Sequence, residues 1–232
     1  MSEEAKRIQE RYRERDAARG ETGFWTFHNP VVLHIAQERE RVFWQAAREL
    51  EIDLSGIDIL DVGAGGGGEL FNLCRWGASA NRMFGIDLSW ERVRRAHKAH
   101  HLNILQANGT KLPFRDGQFG AVVQNVVFSS IISSEMRQNV AEEMNRVLAP
   151  GGMLLWYDAR RCRGNDPNFL PVPQHEVEQL FPKIKFTWYN LTTDVGLLRL
   201  VEQLGGEPAM RLMDALRIFR THLFGVGTKL TD

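Results

Sequence analysis

The run Ile57-Asp58-Ile59-Leu60-Asp61-Val62-Gly63-Ala64-Gly65-Gly66-Gly67-Gly68-Glu69 decides the fold. Its first half reads as a buried strand, and its second half as a glycine-rich turn that opens a helix. Glycines let the backbone take positive φ and let a ligand reach the main chain with no Cβ in the way. The helix N-terminus that follows offers free N–H groups, so a bound small molecule is expected here. Gly63-x-Gly65-x-x-Gly68 has the spacing of a dinucleotide turn. Asp87 falls at the end of the next strand, about 20 residues on, where a ribose-binding acid belongs. Asp61 separates two readings of the turn. Its charge would repel a pyrophosphate and attract a ligand carrying an ammonium and a sulfonium.

Outward from this run, short aliphatic stretches alternate with helical ones, the pattern of a parallel sheet with crossover helices. Strands are expected at 57–62, 82–87, 102–107, 120–126 and 152–157, with helices near 67–76, 89–100 and 134–148. Ser133 or Ser134 can cap the last of these, and Pro150-Gly151-Gly152 ends it. Upstream, Asn29-Pro30 starts a helix of about 30–50 with an apolar stripe at Ile35, Phe43, Ala46, Ala47 and Leu50. Downstream come a polar loop (160–173), a helix (174–181), a strand (184–191), a helical segment (194–220) and a last strand (221–229). The sum is an α/β fold, a doubly wound, Rossmann-like, seven-stranded and mostly parallel sheet with flanking helices. Residues 1–20 read as a charged helix or a frayed arm, partly disordered because Ile8 and Tyr12 are its few apolar anchors. Residues 21–232 read as one domain with a helical insertion near 194–220.

The motifs resemble those of the class I S-adenosylmethionine-dependent methyltransferases. Leu60-Asp61-Val62-Gly63-Ala64-Gly65-Gly66-Gly67 matches the first motif of that family, and Gly85-Ile86-Asp87-Leu88-Ser89 its ribose-binding strand end. Gln106-Ala107-Asn108-Gly109-Thr110-Lys111-Leu112-Pro113-Phe114, Asp116 to Val122, and Arg146-Val147-Leu148-Ala149-Pro150-Gly151-Gly152 continue the series in order. Trp156 to Arg160 and Phe219-Arg220-Thr221-His222 add a looser likeness to a bacterial subgroup associated with polysaccharide or specialised-metabolite genes. The resemblance implies S-adenosyl-L-methionine as cofactor. It implies cofactor contacts at Asp61, Gly63, Ala64, Gly65, Asp87, Leu88, Asn108, Gly109, Thr110, Gln124 and Asn125.

Three positions depart from the family pattern. Asn108 stands where the family commonly has an acid for the adenine amino group, and its amide oxygen can accept the same bond. Phe119-Gly120-Ala121 stands where Phe-Asp is usual, which removes a carboxylate. Gln124-Asn125-Val126-Val127 replaces the Asn/Asp-Pro-Pro-aromatic tetrad of amide and nucleobase methyltransferases, which disfavours N-methylation of an amide or base. No acidic cluster of a magnesium site is apparent, so no metal is expected.

In-line methyl transfer needs alignment and the removal of one proton. His28 is the candidate base, because Phe24, Trp25 and Phe27 beside it suggest a lid over residues 20–28. His97, His100 and His101 read as a basic helix face, His34 as packed in a helix, and His222 as structural. Tyr157 and Asp158 end the fifth strand on the ligand-binding edge. For Asp158 a cap or a pair with Arg160 or Arg161 is the alternative. The apolar segment 194–220 reads as packing over the sheet, or else as a lid or dimer face.

Twenty-nine basic residues balance 29 acidic ones in 232, and 43% of residues are hydrophobic, as in ordinary globular proteins. Neutral charge argues against an extended nucleic-acid footprint. The charged stretch 1–19 is no signal peptide, and no run approaches the ~20 apolar residues of a membrane span. Cys74 and Cys162 fit no CxxC or Cys/His metal spacing, which suggests a reduced, cytoplasmic setting. The expectation is a methyltransferase acting on a small hydroxylated acceptor such as a sugar or natural product, compatible with homo-oligomers. An NAD(P)-dependent oxidoreductase and a cofactor-binding module without turnover are the competing readings.

Overall fold

A computed structural model describes residues 2–22, 26–100, 102–162, 164, 166–217 and 219–231, the side chains of 19–22, 99 and 100 excepted. The elements in chain order are α1 (Glu3–Thr22), α2 (Pro30–Glu49), β1 (Ile59–Val62), α3 (Gly68–Arg75), β2 (Met83–Asp87), α4 (Trp90–His100) and β3 (Asn103–Gln106). They continue with β4 (Phe119–Asn125), α5 (Ser134–Val147), β5 (Leu148–Ala159), α6 (Gln174–Leu180), β6 (Ile184–Thr193), α7 (Val195–Leu216) and β7 (Arg220–Lys229).

All seven strands form one sheet in the order β3-β2-β1-β4-β5-β7-β6. Pairing is parallel from β3 through β5, and β7 runs antiparallel to both β5 and β6. Because the order reverses between β1 and β4, their carboxyl ends open a crevice there. Both faces are covered, so β1 is buried throughout. Leu60, Val62, Val122, Leu154 and Trp156 pack under α1, α5 and α6. Ile59, Ala121, Val123, Leu155, Tyr157 and Phe224 face α2, α3 and α4.

Local chemistry fixes the helix ends. Asn29 Oδ1 accepts from the Val31 amide at 3.0 Å with Pro30 following, and Ser133 Oγ accepts from the Met136 amide at 3.2 Å. The strand expected from residue 152 begins instead at Leu148. Leu148 already pairs with Phe119, and the register shifts before Ala121 meets Met153. Gly120 also gains a reason: a Cβ there would lie 2.9 Å from Ile57 Cβ, so the acid usual at this position has no room.

Of the two readings of residues 1–20, the structure takes the helix. Ala5 and Ile8 are buried in the core, and long polar side chains supply the anchors that the apolar count lacked. Arg7 donates to the Ser130 carbonyl at 2.7 Å, Gln9 to the Leu88 carbonyl at 2.7 Å, and Arg92 to Asp16. α2 is tied to α7 and to the β7-β6 edge of the sheet by a buried polar network. His34 Nε2 lies 2.8 Å from Asp214 Oδ2, and Glu38 pairs with Arg220 and accepts from the Thr192 amide at 2.8 Å. α7 bends at Gly206 ahead of Pro208. Only part of α7 packs as expected, since Leu198 and Met210 are buried whereas Leu200, Leu204, Leu212 and Leu216 are exposed. Among the described residues no helix is long and apolar enough to cross a membrane.

Candidate active site

The glycine turn is held against β2: the amides of Gly63 and Ala64 both donate to the Ile86 carbonyl, at 2.8 and 2.9 Å. Gly63 takes φ +80°, and a Cβ on it would meet Val127 Cγ2 at 2.5 Å, so glycine is required at this point. The turn and the strand ends around it border two cavities that share one residue, Asn125.

The smaller cavity, about 140 Å³, is bounded by Gly63, Asp87 and Leu88, by Asn108 and Gly109, and by Asn125. α1 closes it from above with Ile8, Gln9, Tyr12 and Arg15. The Tyr12 ring lies between two guanidiniums, Arg15 at 4.4 Å and Arg92 at 4.2 Å, and its hydroxyl is 2.9 Å from Ser130 Oγ. Beyond Tyr12 and Ile8 as anchors, nothing in the sequence pointed to this cover. The lid expected from residues 20–28 differs from it. Phe24 and Trp25 lie outside the described residues, and Phe27 is exposed at the edge of the larger cavity.

Asp87 is buried, and its two carboxylate oxygens accept from the Ser89 amide at 2.8 Å and the Gly65 amide at 2.9 Å. Each oxygen keeps a second lone pair for a hydroxyl. Burial raises the Asp87 pKa, and these two bonds and the charge of Arg92 work against that rise. Asn108 Oδ1 accepts from the Thr110 amide at 3.1 Å, which sets the loop after β3. Asp61 is the anomaly of the site. It is fully buried in β1, and neither carboxylate oxygen has a hydrogen-bond partner. Burial, with Glu69 and Asp87 nearby, pushes its pKa well above the usual carboxylate range. A buried carboxylate without a donor is costly unless a cation satisfies it. An amino-acid ammonium is such a cation, so these residues fit the S-adenosylmethionine that the motifs imply.

The larger cavity, about 380 Å³, lies between α2, α3 and the sheet. Its polar end is a chain of contacts. Asn125 Nδ2 donates to Glu69 Oε2 at 2.8 Å, and Arg39 donates to the same oxygen at 3.0 Å. The Arg39 guanidinium sits 4.2 Å from the centre of the Tyr157 ring. Glu69 was within the deciding run, but nothing in the sequence linked it to Arg39. The Tyr157 hydroxyl bonds Thr192 Oγ1 at 2.8 Å, and His222 stacks on the Tyr157 ring at 5.1 Å.

The expected site residues therefore sort by position. Gly63, Asp87, Leu88, Asn108, Gly109 and Asn125 border the smaller cavity, and Gln124 with Asn125 the larger. Gln124 spends its amide on the backbone, donating to the Tyr157 carbonyl and accepting from the Val127 amide. Asp61, Ala64, Gly65 and Thr110 border neither cavity, and His28 is exposed and also borders neither. Asp158 is buried and accepts from the amides of Ser129 and Ala159. Burial pushes its pKa up to about 6. His34 is held by Asp214, and His97 lies 2.8 Å from the Ile104 carbonyl.

Residues 60–156 match the family described as a methyltransferase domain. The chain is similar to the fatty-acid O-methyltransferase of Mycolicibacterium smegmatis, 37% identical over 114 residues, covering 47% of this chain and 40% of that protein. It is likewise similar to phthiotriol/phenolphthiotriol dimycocerosates methyltransferase 1 of Mycobacterium ulcerans, 32% identical over 135 residues, covering 56% and 48%. The chain thus spans about half or less of the length of these relatives. Among solved structures, the [4+2]-cyclase SpnF superposes with a TM-score of 0.60 at 18% identity, covering 84% of this chain and 82% of that one. An S-adenosylmethionine-dependent methyltransferase from Mesorhizobium loti does so at 0.56 and 14%, covering 80% and 97%. Residues 60–156 thus match a methyltransferase domain, and the sheet has the fold of S-adenosylmethionine-dependent methyltransferases such as the Mesorhizobium loti protein.

Proposed function

We propose that the protein is an O-methyltransferase that moves the methyl group of S-adenosylmethionine to a small hydroxylated acceptor, a sugar or another natural product, in the cytoplasm. The observation that carries this reading is the pair of cavities meeting at Asn125, one bordered by Gly63, Asp87 and Asn108, which the motifs mark for the donor, and the other with room for a second molecule. When bound, S-adenosylmethionine supplies an electrophilic methyl on a sulfonium. Asp87 would take the ribose hydroxyls, Asp61 the ammonium, and Asn108 the adenine edge. The names of the two mycobacterial relatives, a fatty-acid and a phthiotriol methyltransferase, support small-molecule acceptors.

Calorimetry with S-adenosylhomocysteine, followed by labelled-methyl transfer across sugars, phenols and acids, tests the reading. Asp87→Ala should weaken S-adenosylhomocysteine binding roughly tenfold to hundredfold, the equivalent of ~1.5–3 kcal/mol for charge-assisted hydrogen bonds. Tight binding of NADH in place of S-adenosylhomocysteine would overturn the proposal in favour of an oxidoreductase.

A further inference from the structure

We infer that the larger cavity takes an acceptor with an apolar body and a single oxygen-bearing end, an aryl or alkyl alcohol or acid, and not a polyhydroxylated sugar. This rests on the methyltransferase reading and narrows its acceptor.

The cavity floor is the sheet face at Val123, Leu155, Leu191 and Phe224, and its walls are Phe43 and Trp76. Phe43 is the hinge of the aromatic wall, 4.6 Å from Trp76 and 5.9 Å from Phe224 between ring centres. A volume of about 380 Å³ is within the range of small-ligand pockets. Most charged groups along the cavity satisfy one another. Glu40 pairs with Arg75 at 3.7 Å, Arg39 and Asn125 converge on Glu69, and the Gln124 amide is spent on the backbone.

A sugar brings several hydroxyls, and each one buried without a partner carries a desolvation cost. An apolar body incurs no such cost against rings and aliphatic side chains, and gains from every contact made. At the end where Arg39 and Asn125 meet Glu69, Arg39 is only partly exposed and retains N–H groups beyond the one given to Glu69, while Gln37 and Asn72 also line the cavity. The same end holds Asn125, the residue shared with the smaller cavity. One oxygen placed there, with the body lying along Phe43 and Trp76, uses the cavity as it is built.

The probes are decanoate, 2-naphthol and glucose, titrated into the protein saturated with S-adenosylhomocysteine and then offered as acceptors with labelled methyl donor. Decanoate or 2-naphthol should bind and accept methyl, and glucose should do neither. Ala36, on the α2 wall, borders the cavity, so Ala36→Trp should fill it. Binding of the apolar probe should then weaken about tenfold or more, with S-adenosylhomocysteine affinity kept. Should that variant fold poorly, Leu33→Asp at the exposed mouth should weaken decanoate in the same direction. Glucose acting as the acceptor, neither apolar probe binding, or both variants binding them unchanged would overturn the inference while leaving the donor site intact. Failure of S-adenosylhomocysteine itself to bind would overturn the methyltransferase reading, and this inference with it.

Discussion

Asn125 donates to Glu69 across 2.8 Å and so ties the end of β4 to the first turn of α3, at the boundary between the two cavities. The same Glu69 oxygen receives Arg39 from α2. One carboxylate therefore registers β4, α3 and α2 against one another, and it is also among the charges that raise the pKa of Asp61.

Removing it should be felt first as stability. Glu69→Ala leaves the largely buried Arg39 guanidinium without its anion, and the loss should be about 1–3 kcal/mol in urea unfolding. Glu69→Gln keeps an acceptor oxygen for Asn125 or Arg39 and should lose less. Equal stability of the alanine variant and the parent would show that Glu69 does not organise this corner.

Asp61→Asn should behave in the opposite sense. The folded-state pKa of Asp61 is raised, so its contribution to stability is present below the unfolded value near 3.8 and is lost as pH rises through the folded value. In the ligand-free protein, the asparagine variant should therefore gain stability relative to the parent as pH increases toward 7. It should bind S-adenosylhomocysteine more weakly, having no charge for the ammonium. A variant that binds as tightly as the parent would remove Asp61 from the donor site.

α1 carries a third expectation. Tyr12 and Arg15 border the smaller cavity and Ala5 and Ile8 enter the core, so a chain beginning at Asn29 should keep the sheet yet lose donor affinity. The sequence, with its lid placed at 20–28, leads one to expect turnover to suffer more than binding. With α1 as the cover, binding suffers directly, and calorimetry with S-adenosylhomocysteine on the truncated protein separates the two.

Legibility in the sequence followed the range of the interactions. The sheet and its crossover helices could be read because each element carries its own period, cap or glycine, as Asn29-Pro30, Ser133 and Gly63 show. Asp61 and Asp87 stood out because the motif places a carboxylate at a strand end. α1 was ambiguous because its anchors are pairings with residues far along the chain, Asp16 with Arg92 and Arg7 with Ser130. Arg39, Glu69 and Tyr157 could not be joined for the same reason. Their meeting depends on α2 crossing the sheet, a tertiary fact with no local signature.

His28 provides a sharp test because the base role proposed for it predicts a large number. A proton acceptor in the reaction is worth 10²–10⁴ in rate. His28 is exposed and borders neither cavity, so His28→Ala should leave turnover within about twofold, as surface substitutions do. A loss of a hundredfold, least severe at high pH, would instead assign it the proton.

His222 should give the protein an acid-side weakness. Burial, and secondarily the charge of Arg39, push its pKa down to about 4 from an ordinary 6.5, while its ring stacks on Tyr157 and its Nδ1 lies 2.9 Å from Thr221 Oγ1. A group held neutral in this way contributes stability that is present above 6.5 and lost as pH falls from 6.5 toward 4, because the unfolded chain takes up the proton first. Within that window the slope approaches ~1.4 kcal/mol per pH unit. Asp158, with its pKa raised to about 6, changes stability in the opposite direction over part of the same range, so the absolute curve of the parent is not the readout. The difference between parent and His222→Gln is, since every other group cancels in it. The glutamine variant is expected to lose packing on Tyr157 at pH 7.5 and to recover ground against the parent on acidification to pH 5. Parallel unfolding curves across that interval would mean that His222 titrates in the folded protein as it does in the unfolded chain, so that neither burial nor Arg39 shifts it.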